Sequence, residues 1–128
     1  MRAILMTDVG PVDVLQLAEV NEPQISSPTQ IKVRLKAASV NPVDTKLRNR
    51  GVFYADALPA ILGCDGAGEV VETGDKVTRF MKGDDVWFCH GGLGGAQGNY
   101  AEYTVLDEKE AEMKPARISY EQAAALPL

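Results

Sequence analysis

Between Ile31 and Val40 apolar and charged side chains alternate with a period of two: Ile31, Val33, Leu35 and Ala37 interleave with Lys32, Arg34 and Lys36. Successive side chains of a strand point to opposite faces, so the pattern predicts a half-buried strand over Ile31 to Val40 with its three cations in water. A one-residue slip would bury all three, which fixes the register. Shorter segments of the same kind predict strands over Arg2 to Met6, Val14 to Val20, Ala67 to Glu72, Asp85 to Phe88 and Tyr100 to Val105. Dense Gly and Pro punctuation separates them, as expected of a mainly β chain folded as a compact barrel or sandwich.

Two short helices interrupt this pattern. The first opens at Asn41-Pro42-Val43-Asp44: Asn is a favoured N-cap, Pro fits the first turn, Asp44 at the third position can reach back as a capping carboxylate, and Gly51 supplies a stop. The second opens at Ser119, with Gln122 completing a capping box, and runs through Ala123, Ala124, Ala125 and Leu126 to Pro127. So short an apolar helix has little stability alone and must pack on something.

The 128 residues suit one domain, 1–128, and the composition, 45% hydrophobic and 24% charged, is that of a globular protein. The apolar runs are too short for a membrane helix, and Thr7-Asp8 ends the N-terminal run before a secretory signal could form, so a cytoplasmic protein is expected. A net charge of -5 argues against nucleic-acid binding. Lys32, Arg34, Lys36, Lys46, Arg48 and Arg50 form a basic stretch countered only by Asp44, read as solvated strand and helix faces rather than an anion site. Two cysteines, Cys64 and Cys89, suit free thiols in a reducing compartment better than a disulfide.

Candidate chemistry narrows quickly. The glycines of Gly91 to Gly98 run into a strand-like segment and match neither a phosphate loop nor a dinucleotide fingerprint. Gly63-Cys64-Asp65-Gly66-Ala67-Gly68 likewise leads into a strand and reads as a turn where backbones approach closely. Cys64, Asp65, Cys89 and His90 are acceptable zinc ligand types, but their paired spacing brings no set onto one face, so small buried thiols and a lone loop histidine are expected instead, with no metal. Asn41, Asp44 and Tyr54 remain. Asn41 and Tyr54 carry donors able to polarise a carbonyl oxygen; the alternative is that Asn41 and Asp44 only cap the helix while Tyr54 packs in a loop.

Taken together, these segments resemble the N-terminal part of the medium-chain dehydrogenase/reductase superfamily, in its zinc-free quinone oxidoreductase branch. Ala38-Ser39-Val40-Asn41-Pro42-Val43-Asp44 resembles its A-x-x-N-P-x-D signature, followed by Arg50-Gly51 and Tyr54. Leu62 to Val70 is similar to G-x-D-x-A-G-x-V, Phe80 to Val86 to F-x-x-G-D-x-V, and Gly98 to Tyr103 to G-x-Y-A-E-Y. Lys114-Pro115-Ala116, Ser119 and Ala123 to Pro127 fit the segment before the family's cofactor domain. The resemblance implies a chaperonin-10 (GroES)-like β-barrel forming the substrate domain of an NADPH-dependent reductase of quinones or enones, with the dinucleotide-binding domain absent from this chain. It implies Asn41 and Tyr54 as catalytic donors, Asn41, Asp44 and Tyr54 around the substrate, and Asn41 and Thr45 at the cofactor. Zinc-dependent relatives place a cysteine where this chain has Asn41, and a histidine and a glutamate where it has Cys64 and Asp65. Gly74-Asp75-Lys76-Val77 lacks the second glycine of the family's G-x-G-V turn, and the polar Glu110-Ala111-Glu112 suggests loose packing before Lys114.

Two further readings stand beside the reductase: a zinc-dependent alcohol dehydrogenase domain, and a free-standing barrel that oligomerises. For the latter, the C-terminal helix is expected to expose Ala124, Leu126 and Leu128 as a surface for a second copy.

Overall fold

A computed structural model of the chain describes residues 1–54 and 56–128. Its strands are β1 (Arg2–Met6), β2 (Leu15–Glu19), β3 (Gln30–Ala38), β4 (Asp65–Thr73), β5 (Asp85–Cys89), β6 (Tyr103–Asp107) and β7 (Ala111–Met113); its helices are α1 (Pro42–Arg50) and α2 (Tyr120–Ala124). All pairings are antiparallel, with β1 on β2 and a second sheet in the order β6-β3-β4-β5-β7. Residues 100–102 tie the two sheets together. The Ile4 N–H donates to the Tyr100 carbonyl at 2.8 Å, and the Leu35 N–H donates to the Glu102 carbonyl at 2.8 Å.

This crossing explains why the strand expected over Tyr100 to Val105 starts three residues later. Tyr100 and Ala101 serve β1 instead, with Ala101 bridging Ala3, and pairing with β3 begins at Tyr103. The strand β7 had no alternation to announce it. Ala111 is nonetheless fully buried in the main core with Ile31, Val33, Val70, Phe80 and Phe88, and it pairs with Phe88. The loose packing expected there is therefore corrected: one small side chain between two exposed glutamates suffices to seat the strand.

In β3 the alternation holds except at Lys32, which is 5% exposed rather than in water. Its ammonium pairs with Glu22 and lies 5.4 Å from the Tyr103 ring centroid, so an apolar stem is covered while the charge is met. The basic stretch is not a uniform solvated face.

α2 forms as its cap predicts. Ser119 Oγ accepts from the Gln122 N–H at 3.1 Å, and Gln122 Oε1 accepts from the Ser119 N–H at 3.0 Å. Ala123 and Ala124 pack on Ala67, with Ala37 and Trp87 beside them. Ala124, expected at the surface, is 1% exposed; Leu126 and Leu128 do face outward. Among the described residues no helix is long and apolar enough to cross a membrane.

Candidate functional site

The antiparallel β3–β4 pair sets Ala38 against Gly66, so the residues just past β3 meet those at the start of β4. There the Asp65 side chain, 1% exposed, accepts from Ser39 Oγ at 2.9 Å and from Asn41 Nδ2 at 2.8 Å through the same oxygen, Oδ2. Asn41 Nδ2 also lies 3.4 Å from Ser39 Oγ. This bond orients the Asn41 amide: its nitrogen faces Asp65, and its carbonyl oxygen turns to the first turn of α1. Asp65 Oδ1 is buried without a hydrogen-bond partner among the described residues.

Asn41 also caps α1. The second buried carboxylate, Asp44, accepts from the Asn41 N–H at 2.8 Å and from the Gly63 N–H at 3.1 Å, tying the helix start to the loop before β4. Gly51 closes the helix, donating to the Leu47 carbonyl at 2.8 Å. Capping and a site role coexist at Asn41, because its backbone and side-chain oxygen belong to the capping box while its side-chain nitrogen serves Asp65.

The other residues singled out in the sequence lie apart. Thr45 is exposed and donates to the Pro42 carbonyl at 2.8 Å, so its hydroxyl keeps accepting capacity toward solvent. Tyr54, 60% exposed, packs over the glycine-rich loop, where a Cβ at Gly95 would stand 2.9 Å from its ring. Among the described residues no hydrogen bond joins it to Asn41 or Asp44. Sequence reasoning missed Ser39, Tyr100 and Asn99, and set Asp65 aside with the metal reading. Tyr100 donates to the Ser39 carbonyl at 3.2 Å. Asn99, 1% exposed, directs its amide nitrogen at the carbonyls of Gly63, Cys64 and His90, at 3.1, 3.0 and 3.1 Å.

Beside this network lies a cleft of about 390 Å³, walled by Val43, Phe53 and Leu93 and, on its polar side, by Cys64, Cys89 and His90. Both cysteines are free, Cys64 buried and Cys89 exposed rather than buried as expected. Burial, with Asp44 nearby, pushes the Cys64 thiol up to about 11; burial and Asp65 push Cys89 up as well, so both are neutral thiols at pH 7. Among the described residues no three His, Cys, Asp or Glu side chains gather closely enough to hold a metal ion.

Tyr120, Tyr100 and Cys64 are among the groups that hold their protons more tightly in the folded chain than they would unfolded. The hydrogen bond to Asp85 pushes the Tyr120 phenol up to about 12, burial raises Tyr100, and Cys64 rises from 9.0 to about 11. The stability they contribute is complete below their ordinary values and is lost as pH climbs through the raised ones. Thermal melting is expected to be level just below about pH 9 and to fall between about 9 and 12, less steeply in Tyr120→Phe. An unchanged slope in that variant contradicts the Tyr120 contribution.

With this geometry in place, the family model described as the alcohol dehydrogenase GroES-like domain matches residues 27–116. The chain belongs to that family. Its β-barrel architecture and its place in the medium-chain dehydrogenase/reductase superfamily follow, as the motifs implied. It is 42% identical over its whole length to 2-methylene-furan-3-one reductase of Solanum lycopersicum, covering 34% of that protein. It is 40% identical, again over its whole length, to the chloroplastic NADPH-dependent alkenal/one oxidoreductase of Arabidopsis thaliana, covering 34% of it. The solved structure of Escherichia coli quinone oxidoreductase complexed with NADPH superposes on 98% of this chain and 37% of that one, with a TM-score of 0.86 at 32% identity. The GroES-like chain thus spans about a third of the length of the curated relatives it matches.

Proposed function

We propose that this GroES-like domain forms the substrate side of an NADPH-dependent reductase acting on quinones or on carbonyl compounds with a conjugated C=C bond, without a metal. The observation that carries the reading is the Asn41–Asp65–Ser39 network beside an apolar cleft. Where zinc-dependent relatives are expected to place metal ligands, this chain has an amide hydrogen-bonded to a carboxylate, and a neutral thiol. The names of the reductases it resembles support the same chemistry.

The residues present fit the nicotinamide end of such a cofactor. Among the described residues Asp65 Oδ1 is a buried acceptor without a donor, so the site suits a ligand group that donates, as a carboxamide does. Asn41 and Thr45 would hold that end. When bound, the cofactor supplies hydride. Negative charge then grows on the substrate oxygen, and a hydrogen-bond donor placed there stabilises it. With the Asn41 nitrogen directed at Asp65, Asn41 orients rather than donates. Asp44 holds the helix start that carries Asn41.

In the full-length protein, Asn41→Ala is expected to lower turnover by about 10- to 100-fold, the usual cost of a misplaced ligand. Steady-state rates with NADPH and either 1,4-naphthoquinone or an alkenal measure it. Unchanged rates with both substrates remove Asn41 from the site.

A further inference from the structure

We propose that His90, backed by Glu110, is the proton donor of this reduction, and that the cleft it lines takes an apolar molecule carrying a conjugated carbonyl. The inference rests on the reductase reading above. Each hydride added to a C=C or quinone must be matched by a proton. The two thiols keep theirs near neutral pH, and an imidazole is the side chain that most often carries such a transfer. The chain contains one histidine, and it lies on the cleft.

Its setting is built rather than incidental. The His90 side chain is 16% exposed, with Nδ1 3.1 Å from Glu110 Oε2, and Glu110 is 45% exposed, so the pair connects the cleft to solvent. The backbone is clamped: the His90 N–H donates to the Cys64 carbonyl at 2.7 Å, and its carbonyl accepts from Asn99 Nδ2. It follows Cys89, whose register partner is Asp65, the carboxylate that orients Asn41. The titratable groups around the ring are therefore Glu110, the neutral thiols of Cys64 and Cys89, and Asp65 behind Cys89. Glu110 faces Nδ1, and among the described residues nothing hydrogen-bonds Nε2.

The step balances. Hydride from the dihydronicotinamide, the reductant, forms a C–H bond at the β carbon while the π pair of the C=C bond shifts to give an enolate. The Nε2–H bond of the imidazolium breaks, its proton forms the new bond at the α carbon, and solvent reprotonates the imidazole beside Glu110.

The test uses full-length protein, NADPH and 2-methylcyclohex-2-enone in D2O. Wild type is expected to deuterate the α carbon on one face. His90→Gln is expected to lose about 100-fold in kcat, the usual scale of general acid catalysis, with KM nearly unchanged and the α configuration scrambled; Glu110→Gln loses less. On wild type alone, the enone is expected to shift the 15N resonance of His90 Nε2 when added with NADP+. Unchanged kcat and configuration in His90→Gln, or an unmoved Nε2 resonance, overturns the proposal while leaving the reductase reading intact. A wild type that reduces neither the enone nor 1,4-naphthoquinone overturns both.

Discussion

Replacing Asp44 with alanine is expected to destabilise the chain by about 2–4 kcal/mol, from the lost capping-box contact to the Asn41 N–H together with the buried Gly63 N–H left unpaired. The carboxylate is 4% exposed and divides its two oxygens between the Asn41 and Gly63 N–H groups. Water cannot readily reach the Gly63 N–H once the oxygen is gone. Because Asn41 hydrogen-bonds Asp65 and Gly63 precedes it by two residues, the same change loosens the site. Asp44→Asn keeps one acceptor and is expected to lose about half as much. Urea unfolding measures both, and a loss in Asp44→Ala within about 0.5 kcal/mol, the range of an ordinary surface change, contradicts the tie.

Gly68→Ala is expected to cost about 3 kcal/mol or more, because the added methyl has nowhere to go. Its Cβ would stand 2.1 Å from the Arg34 carbonyl oxygen and 2.9 Å from Val33 Cγ1. The first contact is backbone, at the irregular register between Leu35 and Ala37, so relief requires β3 and β4 to separate. At Gly66, two residues earlier, the nearest atoms to an added Cβ are side-chain atoms of Phe88 and Leu35, at 2.8 and 2.9 Å. Gly66→Ala is therefore expected to be milder, since rings and methyls can shift. Equal losses in the two variants, read by chemical denaturation, contradict this account of the pairing. The close approach expected of this glycine run is real, but at Gly66 and Gly68 it occurs within a strand rather than in a turn.

These two sites show what a sequence discloses. Helix starts were legible because their signals are local: Asn41-Pro42 with Asp44, and Ser119 with Gln122, each complete a cap within four residues. β3 was legible because its alternation runs unbroken in the sequence from Ile31 to Ala37. The burial of Lys32 was not, since Glu22 and Tyr103 come from elsewhere in the chain. The start of β6 and the whole of β7 depend likewise on which strand lies alongside. At the site, Asn41 stood out by type and position, but Ser39 and Asp65 gain meaning only when antiparallel pairing sets the end of β3 against the start of β4. Tyr54 was grouped with Asn41 by nearness in sequence, and the chain carries it to the glycine-rich loop instead.

The reading as a whole turns on whether conjugated carbonyls are reduced at this site without a metal. The most direct measurement takes one chelator-treated sample of the full-length protein and determines both its metal content and its NADPH-dependent reduction of 1,4-naphthoquinone. Full turnover with far less than one metal ion per chain is the expected result. Turnover that disappears on chelation and returns with zinc contradicts it.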